Sequence, residues 1–143
     1  MSLRILLVDD NQTFLNAVSQ CLAMLPEADV VGQVNSGAET LAKVSTLHPD
    51  LVMMDIVMPH MSGLEVAAQL QTLTNPPRFL FLSMHDNESY RTAARELGAV
   101  ALVSKANFVA DLIPIITLLA AEKEQTQPEP QDAGSPDLTK VES

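Results

Sequence analysis

Five positions carry side chains able to do chemistry together: the acidic pair Asp9-Asp10, then Asp55, Ser83 and Lys105. Three carboxylates at close range repel. Either one keeps its proton or a divalent cation sits among them. Mg²⁺ suits such a set, because it takes one or two carboxylates, keeps several waters and completes its shell with phosphate oxygens. A carboxylate beside that ion can attack phosphorus and form an acyl phosphate. Charge developing on the transferred group needs positive partners, which the ion and Lys105 would supply, while the Ser83 hydroxyl would donate to a phosphoryl oxygen. These residue types therefore point to a site that accepts a phosphoryl group, provided the chain brings them together.

Whether it does depends on where strands stop. Ile5-Leu6-Leu7-Val8 is an apolar run ending at Asp9-Asp10, and Leu51-Val52-Met53-Met54 is another ending at Asp55. Phe79-Leu80-Phe81-Leu82 ends at Ser83, and Val100 to Val103 precedes Ser104-Lys105. Val30, Val31 and Val34 mark a further strand. Between these runs the apolar spacing turns helical. Phe14, Val18, Cys21, Leu22 and Leu25 predict a first helix stopped by Pro26, and Leu41, Val44 and Leu47 a second, opened by a Ser36–Glu39 capping box. Leu64, Val66, Ala67, Leu70 and Leu73 predict a third, and Tyr90, Ala94 and Leu97 a fourth closed by Gly98. Leu112 to Leu119 predicts the last, with Pro114 in its first turn. The alternation is (βα)₅, and continuous apolar strands imply a parallel sheet covered on both faces, doubly wound by right-handed crossovers. In such sheets ligands bind outside the carboxyl ends of the strands, where these five residues fall.

Composition bounds the rest. The chain has 143 residues, 47% of them apolar and 18% charged, which allows one packed domain, and aromatics at 3% make its core aliphatic. A net charge of −10 disfavours direct binding of nucleic acid or an anionic membrane by this segment. The single Cys21 excludes an internal disulfide framework and a Cys-rich zinc site. No bilayer span or secretory leader is evident, so a reduced, cytoplasmic setting is expected. Residues 122–143 hold six acids against two bases and contain no Ile, Phe or Met. They are expected to form a disordered acidic tail or interdomain linker, leaving 1–121 as the folded domain.

Taken singly, each residue has a plainer role. Asp9-Asp10 would cap the first helix, Ser83 would be an ordinary strand end and Lys105 a surface charge. His48, His60 and His85 lack ligand-like spacing and are expected on the surface or in loops, and Met53, Met54, Met58 and Met61 in packing. A flavodoxin-like cofactor binder would need a first loop rich in Ser, Thr and Gly, whereas Asp9-Asp10-Asn11 would repel a phosphate. An aspartyl-phosphate phosphatase would need a second acid two residues after its nucleophile, and that position is Val57. An enzyme is therefore not expected.

From residue 4 to about 120 the chain resembles the receiver domain of bacterial two-component response regulators. The resemblance rests on Asp9-Asp10 after a strand, Asp55 followed by Met58-Pro59 and Gly63, Ser83 after the fourth strand, Gly98-Ala99 before the fifth, and Lys105 after it. It implies the strand order 2-1-3-4-5. It makes Asp55 the acceptor of a phosphoryl group from a sensor histidine kinase. Asp10, Asp55 and the Val57 backbone carbonyl would ligate Mg²⁺, with Asp9 acting through a metal-bound water. Ser83 and Lys105 would contact the phosphoryl group, and Val57 and His85 would tune its lifetime. Two positions depart from the pattern: Leu102 stands where an aromatic residue is usual, and Ala106 where a proline often follows the lysine. The resemblance further implies transcriptional control through an output domain outside this chain. It also suggests a homodimer on phosphorylation through the helix 4–strand 5–helix 5 face. The alternative is a stand-alone or phosphorylation-independent receiver acting by protein contacts.

Overall fold

A computed structural model of the chain describes residues 2–84 and 87–126. Strands form where the apolar runs lie: β1 (Leu3–Val8), β2 (Ala28–Val34), β3 (Leu51–Asp55), β4 (Arg78–Ser83) and β5 (Leu102–Ser104). They pair in parallel as one sheet of order β2-β1-β3-β4-β5. Helices alternate with them: α1 (Gln12–Ala23), α2 (Gly37–Leu47), α3 (Gly63–Leu70), α4 (Glu88–Leu97) and α5 (Phe108–Thr126). This is the doubly wound (βα)₅ arrangement in the expected order.

The strand period of two divides the sheet between two cores. Ile5, Leu7, Leu51, Met53, Leu80, Leu82 and Val103 face α1 and α5, meeting Leu15, Val18, Leu22, Leu112, Ile116 and Leu119. Their neighbours Leu6, Val8, Val52, Met54, Phe79 and Phe81 face α2, α3 and α4, meeting Val44, Val66, Ala67, Leu70 and Ala94. Both faces of the central strands are thus covered, which is why those strands read as unbroken apolar runs. β2 lies at the edge and is half-exposed, with a bulge at Val31, since Ile5 pairs with Val30 and Leu6 with Gly32. Among the described residues no helix is long and apolar enough to cross a membrane.

The termini of the elements show the local chemistry. Asn11 caps α1, its side chain accepting from the Phe14 N–H, so neither Asp9 nor Asp10 serves as the cap. Ser36 caps α2, but the Glu39 carboxylate accepts from the Asn35 N–H, one residue earlier than a closed capping box requires. The reciprocal box forms at Ser62–Glu65, which has the same spacing. Gly98 closes α4 at φ +84°, a conformation that glycine adopts without penalty.

Several boundaries differ from the periodicity. α3 ends at Leu70, leaving Leu73 exposed, and β5 begins two residues after Val100. α5 extends beyond Leu112–Leu119 at both ends, because Leu112, Ile116, Leu119 and Ala120 keep one continuous stripe against the sheet. Pro114 therefore sits in the second turn rather than the first, where it removes a backbone donor. The last turn of α5 is docked: Glu122 pairs with Arg78 at 3.0 Å, and Lys123 donates to Asp50 and to the Ser2 carbonyl, both at 2.7 Å. Packing thus carries the helix past residue 121, where the composition changes, and residues 127–143 of the expected tail lie outside the described residues.

Pro114 is exposed, so replacing it relieves the helix without opening the core. Pro114→Ala is expected to stabilise the protein by roughly 1–3 kcal/mol, read from the urea midpoint at unchanged m-value.

Candidate functional site

Because β1 and β3 are neighbours, with Val8 opposite Met54, the residues that follow, Asp9 and Asp55, emerge side by side. Both are buried, at 1% and 6% exposure. Asp9 Oδ1 accepts from the Asn11 N–H at 2.9 Å and Oδ2 from Lys105 Nζ at 2.6 Å. Asp55 Oδ1 accepts from the Val57 N–H at 3.2 Å and Oδ2 from the same Lys105 Nζ at 3.2 Å. Asp10 is exposed, yet one carboxylate oxygen from each of Asp9, Asp10 and Asp55 lies within 4.8 Å of the others. Asn35, at the end of β2, fixes the first loop by donating to the Asp9 carbonyl at 3.1 Å.

Lys105 opens a 3₁₀ turn, Lys105–Asn107, directly after β5. The turn is anchored by Ser104, whose hydroxyl accepts from the Ala106 N–H at 3.2 Å. No cis peptide bond occurs among the described residues, so Ala106 follows Lys105 in the trans form. The Lys105 side chain is only 8% exposed. Burial alone would lower its pKa. The hydrogen bond that Lys105 donates to Asp9 and the charges of Asp55 and Asp9 outweigh burial and hold the ammonium above its ordinary value. Burial pushes the Asp55 carboxyl up, Lys105 pulls it down and Asp9 pushes it up again, and the net result lies above the ordinary carboxylate value. Burial thus penalises the Asp55 carboxylate by more than Lys105 compensates. Three oxygens at this spacing form a hard donor set that suits a small divalent cation, which would favour the charged carboxylate.

Ser83 ends β4 one step beyond Leu82, the partner of Asp55, and is buried at the same rim. It lines an open cleft of about 270 Å³ with Arg91, Leu102, Ser104, Asn107 and Asp111. Leu102 is half-buried there, on the strand where the resemblance places an aromatic ring. Val57 is 55% exposed, and its N–H braces Asp55. His85 lies outside the described residues. His48 and His60 are exposed and both take positive φ, at 50° and 71°.

The loop after β3 is tied down by Gly63. Its N–H donates to the Ile56 carbonyl at 2.8 Å, and a Cβ there would lie 2.3 Å from the Asp55 carbonyl oxygen. Only a residue without a side chain fits. Phe14, whose spacing predicts only a core role, also belongs to the site: Lys105 Nζ lies 4.6 Å from its ring centroid. Its position one turn after Asp10, at the start of α1, is the signal that could have found it.

A family model described as the response regulator receiver domain matches residues 5–117. The chain belongs to that family. It is 34% identical over 118 residues to the transcriptional regulatory protein DegU of Brevibacillus brevis, covering 82% of this chain and 50% of that protein. It is 38% identical over 103 residues to a protein-glutamate methylesterase/protein-glutamine glutaminase of Agrobacterium fabrum, covering 71% of this chain and 29% of that protein. This receiver therefore spans half or less of either relative. The signal receiver domain of NarL from Mycobacterium tuberculosis superimposes with a TM-score of 0.78 at 28% identity, covering 84% of this chain and 97% of that one. The two relatives' names attach similar receivers to different activities.

Gly63→Ala is expected to cost about 2–4 kcal/mol, since the added methyl meets backbone, and chemical denaturation would measure it. Asp55→Asn is expected to stabilise the protein without divalent cations at neutral pH. Because the folded pKa of Asp55 lies above the unfolded one, wild-type stability falls as pH rises through that interval, and the penalty is absent below it. The difference between variant and wild type should therefore open with rising pH, read as melting temperature against pH.

Proposed function

We propose that this receiver accepts a phosphoryl group on Asp55 from the phosphohistidine of a sensor histidine kinase. The observation that carries the reading is the Lys105 ammonium shared between Asp9 and Asp55 at a rim crowded with carboxylates. An Asp55 oxygen attacks phosphorus, an O–P bond forms and the P–N bond breaks, and the departing imidazole takes the electron pair and picks up a proton. Lys105 stays within reach of the new oxygens, and Ser83 at the neighbouring strand end donates its hydroxyl to one of them. Mg²⁺ would be held by Asp10, Asp55 and the Val57 carbonyl. Asp9 would reach it through a water, which accords with both Asp9 oxygens already having partners. When bound, the ion neutralises charge on the phosphoryl oxygens. Val57, two residues past the nucleophile, provides no general acid, so the acyl phosphate is stored rather than rapidly hydrolysed.

The name of DegU, a transcriptional regulatory protein, supports control of transcription. An output region is supported by this chain covering only 50% of DegU and 54% of the Escherichia coli nitrate/nitrite response regulator protein NarL, which is 31% identical over 117 residues. A cytoplasmic setting is part of the same reading. Val109 and Ile113, exposed on α5, support dimerisation of the phosphorylated form. Leu102 favours one other reading, a receiver that works by constitutive protein contacts.

Incubation with acetyl phosphate and Mg²⁺ is expected to add the mass of one phosphoryl group to the wild type and none to Asp55→Asn. Asp10→Asn should need about tenfold more Mg²⁺ for the same rate. A wild-type protein that gains no mass under these conditions would favour the constitutive reading.

A further inference from the structure

Leu102 in β5 offers no aromatic side chain to register a change at Asp55, but an aromatic ring meets the site from the opposite side. Phe14, in the first turn of α1, presents its ring to the Lys105 ammonium at 4.6 Å. The same ring meets Phe108, the first residue of α5, edge to face, with centroids 5.2 Å apart and planes at 71°. Both rings are half-buried against the core between the sheet, α1 and α5. The chain has only four phenylalanines, and two of them form this pair.

The chemistry of the contact gives it a direction. A Lys ammonium has three N–H donors, and here Asp9 and Asp55 accept from it. The Phe14 ring supplies the remaining electron-rich surface. At 8% exposure the side chain is nearly dehydrated, the condition under which attraction between a cation and an aromatic face is greatest. New anionic oxygens on Asp55 would draw Nζ away from Asp9 and change its distance from the ring. Edge-to-face packing then couples Phe14 to Phe108, because neither ring can tilt without opening a gap to the other.

We propose that Phe14 is a positioning residue whose ring holds Lys105 Nζ between Asp9 and Asp55 and, through Phe108, carries the displacement of Lys105 to α5. The proposal rests on Asp55 being the phosphoacceptor. It supplies a route from the site to the helix that exposes Val109 and Ile113, in place of one through β5.

The test compares wild type with Phe14→Leu, Phe14→Tyr and Phe108→Leu. Uptake from acetyl phosphate with Mg²⁺ is followed by intact mass. Amide shifts of ¹⁵N-labelled protein are recorded with Mg²⁺ before and after beryllofluoride, a phosphoryl mimic. Phe14→Leu keeps the site apolar but loses the ring; uptake should slow about three- to tenfold, and the shifts at Phe108, Val109 and Ile113 should fall by more than half while those at Val57 persist. Phe14→Tyr restores the ring and should restore both measurements, which a role in packing alone would not predict. Phe108→Leu should silence the α5 shifts while slowing uptake less than Phe14→Leu does, since the Phe14 ring itself remains beside Lys105. Wild-type uptake and wild-type α5 shifts in Phe14→Leu would overturn the proposal and leave the phosphoacceptor reading standing. Undiminished α5 shifts in Phe108→Leu would overturn the route through α5. No mass gain in the wild type would overturn both the proposal and the reading beneath it.

Discussion

Like charge held at short range beside a single ammonium is the interaction around which this fold is arranged. Two unit charges about 4 Å apart interact by about 4 kcal/mol at an effective dielectric of about 20. That is a large part of the total stability of a small domain. Lys105 neutralises one charge of the cluster, and its bonds to Asp9 and Asp55 orient both carboxylates. The remaining excess is tolerated because two apolar cores, one on each face of the sheet, hold the strand ends in place.

The sheet order explains why a lysine is the residue that meets the acids. β1 and β3 are adjacent, so short aspartate side chains suffice at their ends. β5 lies three strands from β1, about 14 Å away at the usual spacing. A long flexible stem with a compact charge is needed to cross that rim, and the turn anchored by Ser104 aims it inward. The rim is otherwise built from loops held by specific contacts. Asn11 turns the chain after Asp10, Asn35 ties the first loop to the end of β2, and Gly63 lets the third loop lie against the backbone of Asp55.

The two positions that differ from the resemblance, Leu102 and Ala106, both lie on the β5–α5 side. Leu102 stands beside an open cleft and Ala106 follows the lysine in trans. α5 carries an interior proline together with exposed Val109, Ile113 and Leu118. The site end of α1, by contrast, brings a ring to Lys105 and meets α5 through Phe108. The three acids and the lysine meet at one rim, while the two differing positions both lie to its β5–α5 side.

Most of the architecture was legible in the sequence, for a physical reason: continuous apolar runs, stopped by Asp, Asp and Ser and alternating with helical spacing, fit buried parallel strands, and the strand order implied by the resemblance sets their polar ends on one rim. The order of those stops placed Asp9, Asp10, Asp55, Ser83 and Lys105 as candidates before any distance was known. Local signals did less well where packing overrode them. Composition put the end of the fold at residue 121, but the stripe through Leu119 and the pairs made by Glu122 and Lys123 carry α5 to Thr126. Capping spacing occurs at both Ser36 and Ser62, and only the surrounding backbone decides which box closes. Phe14 was only partly legible: its place one turn after Asp10 sets it near the rim, but its helical spacing is that of any core residue, and a ring shared between a lysine and another ring exists only once α1, β5 and α5 are packed together.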